Sequence, residues 1–197
     1  MFSEQLPDLA VAKSYYQLDF EAYAIAMFHP VTTEIDQMEV YAQNFVAALL
    51  ADHHNYLVVY PNNDLGSRLI LKAYEALKGN PRFRVIPSLR FEYFLTLLKN
   101  SQFIIGNSSA GIREAPYYGI PIINIGTRQQ NRAVHADILH VDYQKAAIGA
   151  ALDMIDIHKV NVGDSDFGQG NSAQLFLDCL QMTNFWQMNQ QKQFRDL

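Results

Sequence analysis

Six short apolar runs, each followed by a segment with helical periodicity, constrain the fold of this chain more than any other feature. Most of the runs are apolar at every position rather than at alternate ones, which is typical of strands buried on both faces. Strands that alternate with helices form parallel sheets. The sequence therefore predicts an α/β fold, a Rossmann-like doubly wound parallel sheet of six strands, at Tyr23–Phe28, Leu57–Tyr60, Phe83–Ile86, Phe103–Ile105, Pro121–Ile125 and Ile138–Val141.

The common strand order of such sheets, 3-2-1-4-5-6, places the first and fourth strands side by side. His29 follows the first strand, and Ser108 and Ser109 follow the fourth. Ligands of open α/β sheets bind in the crevice at this switch point, outside the carboxyl ends of the strands. Taken alone, His29 is better interpreted as a core histidine, but this topology predicts that it shares one site with the two serines.

The loop after the fourth strand, residues 106–111 (Gly-Asn-Ser-Ser-Ala-Gly), is the main candidate for ligand binding. A strand that passes through small residues into a helix leaves unpaired N–H groups, which favour an anion such as phosphate. Glu114 lies too near a phosphate to be its partner and suits a sugar diol. The alternative, that the serines only cap the helix, stays open because the loop is neither a Walker loop nor a GxGxxG motif. We call residues 106–111 the serine loop.

Other polar residues follow further strands. Arg128 follows the fifth strand, and the sequence favours a ligand contact and an ordinary surface arginine equally. Asn62 and Asp64 follow the second strand, where a turn role is favoured.

Pro116 removes a backbone donor, so the helix after the serine loop should be short or kinked. Thr32 or Thr33 is the expected N-cap of a helix that runs to about Ala51.

Composition excludes several function classes. The net charge of −5 among 197 residues argues against a nucleic-acid surface. The single cysteine, Cys179, excludes a disulfide framework and is typical of a protein in a reducing cytoplasm. No apolar run reaches the length of a membrane span, and we expect no membrane partner. We also expect no cofactor. A metal site is not expected either, because the remaining histidines lack ligand-like spacing: they are His53, His54, His135, His140 and His158.

Three motifs occur in an order that resembles the hydrolysing UDP-N-acetylglucosamine 2-epimerases. They are His-Pro-Val-Thr-Thr-Glu at 29–34, Gly-Asn-Ser-Ser-x-Gly-Ile-Arg-Glu at 106–114, and Ile-Gly-Thr-Arg-Gln at 125–129. The first motif resembles the hydrolysing branch rather than the non-hydrolysing one. The resemblance covers about residues 23–173. It departs from the family pattern at Asn131, where a glycine is usual, and at Gln169, where an aspartate is common.

The resemblance implies the second domain of a two-domain glycosyltransferase-B-type fold. Residues 1–21 would then connect from a missing N-terminal Rossmann domain, 22–170 would bind UDP, and 171–197 would form C-terminal helices. The resemblance further implies the roles of individual residues. Ser108 and Ser109 would hold the diphosphate and Glu114 the ribose, His29 and Arg128 would face the phosphates and the sugar, and Asn62 and the main chain near Leu89 would lie by the nucleotide.

Two functions of different classes follow. The first is the UDP-binding half of a hydrolysing epimerase that takes UDP-N-acetylglucosamine and releases UDP and N-acetylmannosamine or a related sugar, as in sialic-acid-type synthesis. With the first-domain residues missing, this chain alone would be inactive, and His29 would be its one catalytic residue. The alternative is a non-hydrolysing epimerase domain or a non-catalytic UDP-sugar-binding module. Whether the chain forms a homo-oligomer is left open.

Overall fold

The computed structural model describes residues 6–132, 138–158, 168 and 170–187. Its single sheet has six strands, β1 (Ala24–Met27), β2 (Tyr56–Val59), β3 (Phe83–Ile86), β4 (Ile104–Gly106), β5 (Ile122–Ile125) and β6 (Ile138–Val141). The strand order is β3-β2-β1-β4-β5-β6. All neighbouring strands are parallel. The predicted doubly wound sheet and its strand order are therefore confirmed.

Helices cover both faces of this sheet. In the described ranges they are α1 (Leu9–Tyr16), α2 (Met38–Ala51), α3 (Ser67–Tyr74), α4 (Phe91–Lys99), α5 (Ala110–Arg113), α6 (Ala115–Tyr118) and α7 (Lys145–Ile155). Consecutive residues of β2 enter opposite cores: Tyr56 packs with the α2, α3 and α7 side, and Leu57 with the α1, α4 and α5 side. Because side chains alternate across a strand, a strand covered on both faces must be apolar throughout.

Three local features refine the predictions. The helix expected from Thr32 begins later, at Met38, after a 3₁₀ segment Thr32–Gln37 in which Glu34 leaves helical geometry and no side chain caps the turn. The helix after the serine loop is broken at Glu114 into two single turns, as Pro116 predicted. Residues 9–16, part of the expected connector, form α1. Its Ala12 and Tyr16 are buried in the core on the α1, α4 and α5 side of the sheet, which we call the second core.

Two further helices, α8 (Ser172–Gln181) and α9 (Thr183–Trp186), belong to a compact unit separate from the sheet. Of the C-terminal helices expected at 171–197, the structure describes residues up to 187, and residues 188–197 lie outside the described ranges. None of the helices in the described ranges combines the length and the hydropathy that a membrane span needs.

Candidate functional site

The carboxyl ends of β1 and β4 lie side by side at one edge of the sheet. Met27 pairs in register with Gly106, and the Asn107 amide donates a hydrogen bond to the Met27 carbonyl at 3.1 Å. His29 and the serine loop are thereby brought together, as the strand order predicts. We call this edge the ligand edge, and the roles of its residues in binding remain predictions.

Gly106 makes the close approach of the two strands possible. Its φ is +135°, and a Cβ placed there would lie 2.0 Å from the Met27 carbonyl oxygen. That backbone conformation is essentially restricted to glycine. A side chain at this position would push β4 away from β1 and move the whole serine loop.

Asn107, which is fully buried, connects three loops at the ligand edge. Its side chain accepts from the His29 amide at 2.7 Å and donates to the His29 carbonyl at 2.8 Å. Its own carbonyl accepts from Arg128 Nη1 at 3.1 Å and from Gln129 Nε2 at 2.8 Å. One asparagine therefore fixes His29 relative to the loop that carries Arg128.

The His29 ring is held in one tautomer. Its Nδ1 accepts a hydrogen bond from the Asn62 amide at 3.0 Å, so a neutral ring carries its proton on Nε2. Burial, together with the nearby Arg128 cation, lowers the pKa of His29 to about 4, against the opposing effect of Asp64. At neutral pH His29 is therefore an uncharged N–H donor.

The two serines differ in their surroundings. Ser108 is buried, and its Oγ accepts from the Ala110 amide at 3.3 Å, so part of the capping interpretation applies to it. Ser109 is half-buried at the start of α5, and its side chain caps no amide. Within the described residues, the main-chain amides of both serines have no hydrogen-bond acceptor. These amides, with the hydroxyl protons, are available to an anion.

Arg128 lies half-buried beside a polar cleft of about 420 Å³. The cleft is lined by the segments that follow β1, β2 and β5, including Thr33, Glu34, Asp64 and Thr127. Burial and the neighbouring Arg132 lower the pKa of the Arg128 guanidinium from its ordinary value. This environment favours an anionic ligand, which would relieve the repulsion between the two cations.

The remaining predicted site residues, Asn62, Leu89 and Glu114, follow β2, β3 and β4 in the chain. Asn62, after β2, donates from its side chain to Asp64 at 2.5 Å, which fits its predicted turn role, while its amide holds His29. Leu89, after β3, is partly buried against the second core. Glu114 is half-buried between α5 and α6, and burial raises the pKa of its carboxyl above the ordinary value.

Of the two departures from the family pattern, only Asn131 lies within the described residues. Asn131 adopts a left-handed backbone with φ +61°, the conformation that a glycine would favour and that asparagine tolerates. The substitution at Asn131 therefore keeps a glycine-like backbone. Gln169 lies outside the described residues.

Sequence reasoning missed three contributors to this site. Asn107 and Gln129 are buried and hydrogen-bonded to each other across 22 positions. Thr127 Oγ1 donates to Glu34 Oε1 at 2.5 Å across 93 positions, which ties the loop after β5 to the segment after His29. A polar residue directly after each buried strand was the available signal, but it did not reveal which residues pair.

Replacing Asn107 by alanine should lower the free energy of unfolding by about 2–4 kcal/mol. The reason is that both main-chain groups of His29 would lose their buried partner, and each loss costs about 1–3 kcal/mol. Urea denaturation followed by circular dichroism measures this change. The exposed Asn63 provides the matched control, and Asn63→Ala should change the value by less than ~0.5 kcal/mol. Equal effects of the two variants would contradict the connecting role.

The low pKa of His29 predicts a pH dependence of stability. Unfolded histidine has a pKa of about 6.5, whereas folded His29 has a pKa of about 4. Between these values the unfolded chain binds more protons at this position, so the free energy of unfolding falls as the pH falls from about 6.5 to 4. His29→Gln should make this decline shallower in urea titrations at pH 7 and pH 5. An identical decline in the variant would refute the assignment.

Among the described residues, Asp52, His53 and His54 form a group of potential metal ligands. They precede β2 and so lie at the edge of the sheet opposite to the ligand edge.

Comparison with known proteins places the chain in a family. The family model described as UDP-N-acetylglucosamine 2-epimerase matches residues 2–181. A UDP-N-acetylglucosamine 2-epimerase of Neisseria meningitidis serogroup B is 44% identical over 201 residues, covering 100% of this chain and 53% of that protein. The UDP-N,N'-diacetylbacillosamine 2-epimerase (hydrolyzing) of Legionella pneumophila is 29% identical over 151 residues, covering 76% of this chain and 40% of that protein.

Solved structures also match this chain over about half of their own length. UDP-GlcNAc 2-epimerase of Methanocaldococcus jannaschii, solved in complex with UDP-GlcNAc and UDP, superposes with a TM-score of 0.68 at 20% identity, covering 88% of this chain and 50% of that one. The chain thus spans about half the length of the relatives it matches, and its sheet corresponds to half of a glycosyltransferase-B-like structure. From the extent of the family match, the chain belongs to the UDP-N-acetylglucosamine 2-epimerase family.

Proposed function

We propose that this chain supplies the UDP-binding half of a UDP-N-acetylglucosamine 2-epimerase. The observation that carries the proposal is the junction at Asn107, which holds His29 and Arg128 together beside the available amides of the serine loop. Family membership supports it. The ligands of the Methanocaldococcus structure, UDP-GlcNAc and UDP, suggest which anion the edge would receive.

The diphosphate would lie at the serine loop. The amides of Ser108 and Ser109 would donate to its oxygens, and the Ser108 hydroxyl can still donate its proton while accepting from Ala110. Arg128 would supply the positive charge from the adjacent loop. Donors fixed before the ligand arrives stabilise charge without rearranging, which favours a leaving diphosphate.

His29 would act as a hydrogen-bond donor rather than as a base. Its Nδ1 is occupied by the Asn62 amide, and its low pKa keeps the ring neutral. The Nε2 proton is then available to an oxygen of the phosphate or the sugar. A neutral donor in this place stabilises developing negative charge without the cost of burying a second cation beside Arg128.

The nucleoside would extend towards Glu114 and the loop after β3. The carboxyl of Glu114 is half-buried and contacts its own main-chain amide, and its remaining acceptor sites could receive hydrogen bonds from the ribose hydroxyls. The main chain near Leu89 and the side chain of Asn62 would lie beside the nucleotide. These assignments rest on the family resemblance of the motifs.

The reaction requires two events that this chain could only partly serve. Breaking the bond between the anomeric carbon and oxygen places negative charge on UDP, which the ligand edge would stabilise. Inverting C2 requires proton removal and return by positioned bases on opposite faces of the sugar. His29 alone cannot do both. Because the chain spans about half of its relatives, those bases are assigned to the other half of the enzyme.

The fate of the sugar divides the proposal into two candidates. The relative at 44% identity is named a UDP-N-acetylglucosamine 2-epimerase without mention of hydrolysis, which favours epimerisation with the nucleotide sugar kept intact. The hydrolysing reaction is the second candidate. It is supported by the His-Pro-Val-Thr motif at 29–32 and by the 29% identity to the Legionella enzyme named as hydrolysing.

An activity assay on mixed halves tests the proposal. The chain would be incubated with UDP-N-acetylglucosamine alone, and then with a separately expressed first-domain half of the meningococcal relative. We expect no turnover alone and turnover on mixing. UDP-N-acetylmannosamine as product would identify the non-hydrolysing reaction, and free UDP with N-acetylmannosamine the hydrolysing one. Steady turnover by this chain alone would contradict the division of labour.

A further inference from the structure

A second cluster of polar side chains lies at the edge of the sheet opposite to the ligand edge. Asp52 ends α2, and His53 and His54 follow it before β2 begins. Asp156, at the end of α7, completes the cluster from 102 positions away. The side chains of Asp52 and His54 are almost fully buried, whereas those of His53 and Asp156 are exposed.

Asp52 contacts the same nitrogen of both imidazoles. Its Oδ2 lies 2.8 Å from Nδ1 of His54, and its Oδ1 lies 3.4 Å from Nδ1 of His53. The Tyr56 hydroxyl also donates to Oδ2 at 2.5 Å. Because Asp52 contacts both rings at Nδ1, the two Nε2 atoms are left on the side of each ring away from Asp52.

Both Nε2 atoms face Asp156. His54 Nε2 lies 3.1 Å from Asp156 Oδ1, and His53 Nε2 lies 3.9 Å from Asp156 Oδ2. The two rings lie beside each other, with centroids 4.0 Å apart. Two ligands of a tetrahedral zinc ion at ~2.1 Å would be about 3.4 Å apart. The two nitrogen–oxygen separations, 3.1 and 3.9 Å, lie on either side of that value.

The cluster contains two carboxylates, and among the described residues no lysine or arginine side chain pairs with either of them. The guanidinium of Arg82 instead donates to the main-chain carbonyls of Leu50, Asp52 and His54. Carboxylates without a cationic side-chain partner suit a metal ion.

We propose that His53, His54 and Asp156 bind a divalent zinc ion, with Asp52 as the carboxylate that orients the two imidazoles. A carboxylate behind a metal-binding histidine is the usual supporting arrangement in zinc sites. Imidazole and carboxylate ligands suit zinc among the borderline divalent ions. The sequence did not predict this group, because adjacent histidines lack a metal-ligand spacing until Asp156 joins them.

The position of the site gives it a structural role. It joins the end of α2 to the end of α7, two helices that pack on the same face of the sheet. It lies at the edge opposite to His29 and Arg128, so zinc here takes no part in the chemistry proposed above. Zinc binding would raise the thermal stability of the folded chain, because the unfolded chain cannot assemble ligands from residues this far apart.

The test is calorimetric titration of the chelator-treated full chain with zinc chloride at pH 7. We expect one zinc per chain, and a loss of affinity of at least ~10-fold in His53→Ala and in Asp156→Asn. Asp153, an exposed carboxylate one turn earlier on α7, is the matched control, and Asp153→Asn should bind zinc as the parent does. Cobalt substitution provides an independent readout through its visible absorption.

The variants separate the possible results. His53 and Asp156 are exposed, so both variants should keep the circular dichroism spectrum of the parent. Absence of saturable binding by the parent would mean that the cluster is an ion-pair network only, and would overturn the proposal. Zinc binding that is equal in the parent and in both variants would also overturn it, because the ion would then lie elsewhere.

Discussion

Alanine in place of Gly106 should cost the domain at least ~3 kcal/mol of its free energy of unfolding, a large share of the roughly 5–15 kcal/mol typical of a domain. The φ of +135° adds about 1–3 kcal/mol of strain for a residue with a Cβ. The Cβ would also lie 2.0 Å from the Met27 carbonyl oxygen, which cannot yield because it accepts the amide of Asn107. Urea denaturation monitored by far-ultraviolet circular dichroism measures the loss.

Gly149 offers the matched control. It lies within α7, and a Cβ there would meet no atom within 4 Å. Gly149→Ala should therefore stabilise the domain by up to about 1 kcal/mol, since alanine is the better helix former. If Gly106→Ala were as stable as Gly149→Ala, the close approach of β1 and β4 would not have the geometry described.

Arg128→Ala should weaken UDP binding by roughly 10- to 100-fold, the equivalent of about 1.5–3 kcal/mol for a hydrogen bond to a charged group. Arg128 is the guanidinium that lines the polar cleft after β5. The fold should survive, because Gln129 continues to donate to the Asn107 carbonyl. Isothermal titration with UDP measures the effect.

An exposed lysine at the end of α4, Lys99, serves as control for the change in net charge. It precedes β4 and so lies at the opposite edge of the sheet, and Lys99→Ala should bind UDP within about 2-fold of the parent, because salt screens exposed charges that far apart. Equal weakening in both variants would mean that only the overall charge matters and that Arg128 makes no direct contact.

The sheet could be predicted from the sequence because its physics is local and strongly constrained. Strands buried on both faces must be apolar throughout, as Tyr56 and Leu57 show by entering opposite cores. Right-handed crossovers then leave few possible strand orders. That order alone brought His29 to the serine loop, 78 positions away.

The polar connections could not be predicted in the same way. A buried side-chain amide such as that of Asn107 forms hydrogen bonds with the backbone groups that lie next to it in the folded structure, and the sequence does not identify those groups. The Thr127 to Glu34 hydrogen bond and the approach of Asp156 to His54 also depend on loop geometry across about half of the chain. Helix α1 was missed because its pattern is mixed and its buried residues are few, Ala12 and Tyr16.

The central claim is that the ligand edge of this domain recognises the diphosphate of UDP. Calorimetric titration of the full chain with UDP, and with uridine as the comparison ligand, tests it most directly. We expect one saturable site for UDP and binding of uridine that is weaker by at least ~10-fold, because uridine offers no charge to Arg128 or to the serine-loop amides. Equal affinity for the two ligands, or no binding of UDP at millimolar concentration, would contradict the account.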